Sequence, residues 1–119
     1  MTSTVTTARR ASKYRIESRR RHPRFPCGPC TFGLLAAGKD TPLELVGVRN
    51  ISQSGAGLVL NRFIEPGSVV VLNLFNWRRN IATRALLRVV HTSPHPDGTY
   101  LLGGAFTEEL SAEEVQWLC

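Results

Sequence analysis

The chain has 119 residues, 42% of them hydrophobic, and a formal net charge of +6. That length excludes two independently cored domains, and with Arg, Asn or Gly interrupting every apolar run, no stretch approaches the roughly 20 residues of a membrane-spanning helix. Cys27, Cys30 and Cys119 are too few for a disulfide scaffold, which sets a reducing cytoplasm as the expected location.

The charge is concentrated at the front. Residues 1–24 hold eight basic side chains against Glu17 alone, a net of +7, whereas residues 25–119 hold seven basic and eight acidic, a net of −1. No apolar core follows the first basic residues, so the opening is not a secretory signal. Residues 1–18 read as a flexible basic arm and residues 19–119 as one domain. A positive segment on a nearly neutral body suits an anion-binding arm; a solvated basic tail is the plain alternative.

The hexamer Arg19-Arg20-Arg21-His22-Pro23-Arg24 precedes the first predicted strand. Each guanidinium is a planar fork of donors that can take two phosphate oxygens or the O6 and N7 edge of guanine. Pro23 holds His22 extended, so the arginines should fan out from a loop rather than a helix. Alone, the segment fits RNA, DNA or lipid headgroups equally well.

Cys27-Gly28-Pro29-Cys30 matches the active-site tetrapeptide of thioredoxin. There the first cysteine needs a helix N-terminus after a strand. Here Thr31-Phe32-Gly33 makes a poor helix and no βαβ pattern follows, so redox catalysis is disfavoured and the cysteines read as small residues of a first strand. Metal binding would have to recruit Cys119, His91 and His95 without recognisable spacing.

From Phe25 onward, short apolar runs alternate with turn residues. The predicted strands are Cys30–Ala36, Leu43–Arg49, Gly57–Asn61, Ser68–Phe75, Ile81–Thr92 and Tyr100–Phe106, a spacing that suggests an all-β barrel or sandwich. Between the second and third lies Asn50-Ile51-Ser52-Gln53-Ser54-Gly55. Asn supplies donor and acceptor, Ser a hydroxyl, and Gly a close backbone approach, the groups that can read the edge of a base. An ordinary hairpin turn uses the same residues.

In the fifth run, Ala82, Arg84, Leu86, Arg88 and Val90 alternate with Thr83, Ala85, Leu87, Val89 and His91, one face carrying two arginines among apolar residues. His22, His91 and His95 read as surface histidines. Trp77, at a strand end, suits a partner contact or a stacking platform, though packing over a barrel end is the commoner use of such an aromatic. The tail has Ser111 as N-cap and Glu114 three residues on, a capping box that predicts a short helix packed through Val115, Trp117 and Leu118. Its acids suit helix capping better than paired acid–base chemistry. No catalytic constellation stands out, so the chain reads as a non-enzyme.

Taken together, Arg20-x-x-x-Arg24, Asn50-x-Ser52-x-x-Gly55 and a six-strand pattern ending in Leu102-Gly103-Gly104-Ala105-Phe106 resemble the PilZ domain family over residues 19–119. The resemblance implies a six-stranded antiparallel β-barrel with a short C-terminal helix, and cyclic di-GMP as ligand with no further cofactor or metal. It implies that Arg20 and Arg24 contact phosphates and guanine edges while Asn50, Ser52 and Gly55 hold a guanine on the barrel face. Arg19 occupies the position that accompanies a stacked pair of ligands, which gives the expectation of two molecules per chain. The family often has Asp where Asn50 stands; Asn offers one acceptor fewer to guanine N1 and N2.

The expected function is a bacterial second-messenger receptor whose arm rearranges for a downstream protein partner. Two rivals stand beside it: a small barrel that binds nucleic acid through its arm, and a PilZ-like interaction module that has lost the ligand. Single-strand binders carry exposed aromatics and a basic groove on the barrel itself, and the −1 body favours the receptor reading.

Overall fold

The computed structural model describes residues 22–38 and 41–119. The arm, residues 1–18, and the site candidates Arg19 and Arg20 lie outside the described residues. The elements in chain order are β1 (Phe25–Pro26), β2 (Thr31–Ala36), β3 (Glu44–Ile51), β4 (Gly55–Leu60), β5 (Val69–Asn76), β6 (Ile81–Pro94), β7 (Tyr100–Phe106) and α1 (Ala112–Leu118).

The six expected strands form a closed barrel. Neighbours run β3-β2-β5-β6-β7-β4, and β4 pairs with β3 to close the ring, with every pairing antiparallel. Closure removes the unpaired edges that an open sheet of this size would expose. The two-residue β1 is an addition to the expected set. It pairs Phe25 with Ile51 and Pro26 with Asn50, and is too short for any period-2 signal.

Alternation places the core. In β2, Thr31, Gly33 and Leu35 face inward while Phe32, Leu34 and Ala36 are half-buried outside. In β5, Val70, Leu72, Leu74 and Asn76 are buried. Leu35, Leu58, Leu72, Leu74, Leu87 and Leu102 fill the interior, each contributing about 1.5–3 kcal/mol by leaving water. Phe32 and Phe75, register partners on the outside, stack with ring centroids 5.0 Å apart.

Two bulges break the alternation, one between Val48 and Asn50 in β3 and the other between Val89 and His91 in β6. An inserted residue turns two consecutive side chains to the same side. Arg49 joins Asn50, and Val90 joins His91, on the outer surface, so Arg84, Leu86, Arg88 and Val90 of the arginine-bearing face are all exposed.

The C-terminal helix closes one end of the barrel. Its capping box is present, with the Glu114 backbone N–H donating to Ser111 Oγ at 3.0 Å and the Ser111 N–H to Glu114 Oε1 at 2.9 Å. Val115 and Leu118 are buried as expected, but Trp117 is 45% exposed. Val115 and Leu118 stand three apart and share a helix face; Trp117 lies off it, and seven residues do not wrap far enough to bury both sides. The last carbonyls find donors on the barrel: Thr31 Oγ donates to the Leu118 carbonyl, and Asn76 Nδ2 to those of Trp117 and Leu118 at 3.2 Å each. Arg79 Nη1 donates to the Gln116 carbonyl at 2.7 Å.

Trp77 departs from the commonest of its expected placements. It sits in the β5–β6 turn and is 65% exposed rather than packed over the barrel end. The turn is shaped by Asn76 Oδ1, which accepts from the backbone N–H groups of Arg78 and Arg79, and by Asn80 at φ +57°. In the β6–β7 hairpin, Asp97 accepts from the Thr99 hydroxyl and N–H, which holds its carboxyl below the usual range.

The cysteines depart further from expectation. Cys27 and Cys119 form a disulfide with a sequence separation of 92, and Cys30 is a free thiol just ahead of β2. The bond joins the chain just after β1 to the end of α1. Sequence spacing could not pair them, because only barrel closure brings the two ends together.

Candidate ligand-binding face

Six of the sequence candidates divide into three groups. Arg24 and Asn50 come together: Arg24 Nη1 donates to Asn50 Oδ1 at 2.9 Å. Asn50 belongs to β3 rather than to the connecting turn, and β1 lies along it through the Pro26–Asn50 pairing. The arm base therefore reaches the barrel where the first half of the second motif leaves it. His22 lies 3.9 Å from Glu109 and Cys27 N–H donates to the Arg49 carbonyl at 3.0 Å, holding both ends of this short segment.

Ser52 and Gly55 play a different part. Ser52 is 1% exposed. Its hydroxyl accepts from the backbone N–H groups of Ser54 (3.2 Å) and Gly55 (3.0 Å), while its own N–H donates to the Gly55 carbonyl at 2.8 Å. This is the local side-chain turn that Ser builds readily. A Cβ on Gly55 would strike the Gly104 backbone carbonyl on β7. Both residues fix the loop and its seat against β7. The third group, Arg19 and Arg20, lies outside the described residues.

The loop is further tied down across the barrel. Ser54 O accepts from the Phe106 N–H at 2.8 Å, and Gln53 O from the Leu110 N–H at 2.9 Å. The motif thus has a rigid frame, with Asn50 as the side chain it presents outward.

Register exposes a feature that residue spacing had hidden. Gly55 pairs with Ala105 and Gly57 with Gly103 across β4 and β7, and these are the outward positions, since the intervening Ala56, Leu58 and Leu102 are core. Four consecutive outward positions therefore carry no side chain beyond a methyl. The result is a flat patch of backbone, on which Gly57 and Gly103 are buried beneath the Asn50 and His91 side chains. Across it runs one row: Asn50 on β3, Gly57 on β4, Gly103 on β7 and His91 on β6. Asn50 lies over Gly57, its Oδ1 only 2.8 Å from where a Cβ would stand, and the His91 imidazole lies over Gly103. Arg88, partner of Ala105, borders the same platform. A platform of this kind admits a planar group face-down, because glycine lets another group approach the backbone closely.

A closed six-stranded antiparallel barrel with an Arg–Asn pair at the rim of a flat outer platform defines a small binding module. The PilZ domain model matches residues 18–118, and the chain belongs to the PilZ domain family. Solved structures share the fold at low identity. The PilZ domain with c-di-GMP of YcgR from Escherichia coli is 14% identical with a TM-score of 0.65, the match covering 84% of this chain and 86% of that one. The K. pneumonia MrkH–c-di-GMP complex is 18% identical (TM-score 0.63), and the Bacillus subtilis inhibitor of motility MotI/DgrA is 15% identical (TM-score 0.62). Both matches cover 84% of this chain, which spans about half of each of those chains, 49% and 48%. No curated protein sequence matches it. Among the described residues no helix is long and apolar enough to cross a membrane.

Proposed function

We propose that this chain is a cyclic di-GMP receptor module that acts by binding rather than catalysis. The observation that carries the proposal is the direct Arg24–Asn50 hydrogen bond at 2.9 Å, which joins the two motif segments beside the glycine platform. It is supported by membership of the PilZ family and by fold neighbours solved with c-di-GMP.

In this reading a guanine lies on the Gly57–Gly103 platform, with the Asn50 amide at its edge. Ser52 and Gly55 act by holding the loop that presents Asn50. Arg24, with Arg20 and Arg19 from the basic segment, takes phosphates and the guanine O6 and N7 edge; two ligands per chain follow if Arg19 engages a stacked second molecule. Positive charge, bidentate donors and a flat apolar floor are what a cyclic dinucleotide with two phosphates and two purines requires. Ligand contacts with Arg19 and Arg20 would then draw the arm against the barrel and change the surface offered to a protein partner.

The test is a binding titration of Arg24→Ala. A charge-assisted hydrogen bond contributes about 1.5–3 kcal/mol, so affinity for cyclic di-GMP should fall about tenfold to a hundredfold. Unchanged affinity in a folded variant would remove Arg24 from the site.

A further inference from the structure

We infer that the three cysteines form a thiol–disulfide exchange site, in which Cys30 attacks the Cys27–Cys119 bridge and takes over Cys119, moving the tether of α1 from the arm base to the barrel wall. The inference goes beyond the cyclic di-GMP reading and does not depend on it.

Cys30 and Cys119 stand next to two residues that already touch. Thr31, which follows Cys30, donates its hydroxyl to the carbonyl of Leu118, which precedes Cys119. The Trp77 N–H donates to the Cys30 carbonyl at 3.1 Å, while Asn76 Nδ2 donates to the Leu118 carbonyl at 3.2 Å. Consecutive residues at the end of β5 thus hold both cysteine-bearing segments side by side. Cys30 is a half-buried free thiol, and it lines one cavity together with Cys119, Gly28 and Pro29. The thiol and one half of the bridge therefore open onto the same space, the access that exchange requires. Arg78 and Arg79 are the charged residues in that lining, so the negative charge on the attacking and leaving sulfurs meets cations and no carboxylate.

The step balances within the chain. Cys30 Sγ, as thiolate, attacks Cys119 Sγ; the Cys30–Cys119 bond forms as the Cys27–Cys119 bond breaks, and Cys27 leaves as a thiolate that takes up the proton Cys30 gave up. One disulfide and one thiol stand on each side, so no oxidant or reductant is consumed. The present bridge has a sequence separation of 92, and the exchanged one is three residues shorter. Loop-closure entropy therefore favours neither form, and the local packing of three side chains decides between them. After exchange α1 stays tied, now to the residue that precedes β2, whereas β1 and Arg24 lose their covalent link to it. A bridge that can be passed on in this way suits the transient, redox-sensing use of disulfides in a reducing compartment.

The experiment maps disulfides in the full chain and in its Cys27→Ser and Cys30→Ser variants, each equilibrated at neutral pH in a buffer of reduced and oxidised glutathione. Free thiols are trapped with N-ethylmaleimide, and the chains are digested unreduced for mass spectrometry. The parent should contain both pairings, Cys30–Cys119 within about tenfold of Cys27–Cys119, with the label on Cys27 wherever Cys30 is bridged. Cys27→Ser should form Cys30–Cys119, and Cys30→Ser should form Cys27–Cys119. Trypsin should cleave after Arg24 faster in bridged Cys27→Ser than in bridged Cys30→Ser; equal rates overturn the release of the arm base. A parent in which Cys27 stays unlabelled in every bridged chain, a Cys27–Cys30 pair in place of Cys30–Cys119, or a parent with all three cysteines labelled overturns the exchange site. The parent map needs no variant to fold, and none of these outcomes bears on ligand binding.

Discussion

At the scale of single residues, the second motif holds glycines with two different duties. Gly55 faces the Gly104 carbonyl, part of a backbone that cannot retreat without breaking the β4–β7 ladder. Gly57 faces the Asn50 amide, the far end of a side chain that can rotate away. Gly55→Ala is therefore expected to cost about 1–3 kcal/mol of folding stability, read as a lower urea midpoint. Gly57→Ala should stay within about 1 kcal/mol of the parent in stability while losing affinity for cyclic di-GMP, because the displaced amide no longer reads the base. Equal stability loss in both variants would contradict this division. Ser52 belongs with Gly55: a buried hydroxyl serving three backbone groups of its own loop is a structural device that keeps Asn50 in place.

At the scale of elements, the link between β1 and α1 decides how firmly Arg24 is held. The helix has anchors of its own: buried Val115 and Leu118 and the carbonyl contacts from Thr31, Asn76 and Arg79. The arm base is held by the two-residue β1 pairing, the Cys27–Arg49 bond, the Arg24–Asn50 bond and the contact of His22 with Glu109, together with the Cys27–Cys119 bridge. Cross-linking a loop of this length stabilises by about 4–5 kcal/mol in the chain-entropy model. Reduction, or Cys119→Ser, should lower the thermal midpoint measurably and increase proteolysis near residues 22–27 before the barrel itself is cut. A midpoint that does not respond to reductant would show that the bridge does not contribute.

The same scale shows what the sequence made legible. Alternation located all six barrel strands, and the Ser111–Glu114 spacing located the helix start, because both depend on local periodicity and local hydrogen bonds. Asn50 was placed in a turn rather than at the end of β3 because a bulge shifts the phase of alternation just where the strand ends. His91 is exposed, as a surface histidine should be, although the second bulge rather than simple alternation turns it outward. The Gly57–Gly103 pairing and the Cys27–Cys119 bridge are products of closure, joining positions 46 and 92 residues apart, and no local pattern carries such information. Trp117 is hydrophobic by residue type but lies off the Val115–Leu118 face of the helix, and residue type alone does not carry that position.

At the scale of the whole molecule, the charge is split between a +7 segment over residues 1–24 and a body of −1, and the Gly57–Gly103 patch lies on the body beside the Arg24–Asn50 contact. This arrangement separates the receptor from a nucleic-acid binder by salt response. Neutralising several phosphates of an extended strand releases counterions and makes affinity fall steeply with ionic strength, whereas a compact site with paired arginines should respond weakly. The expected slope for cyclic di-GMP is therefore shallow between low and physiological salt, and single-stranded nucleic acid should not compete for the site at physiological salt.

The central claim is tested most directly by calorimetric titration of cyclic di-GMP into the full chain and into an Arg20→Ala, Arg24→Ala double variant at near-physiological salt. The expected result is saturable binding by the parent, with a stoichiometry of two if Arg19 engages a stacked pair, and binding abolished in a double variant that still unfolds cooperatively. A folded parent that releases no heat and shows no ligand-dependent shift of its thermal midpoint would contradict it, leaving a PilZ barrel that serves as a protein-interaction module.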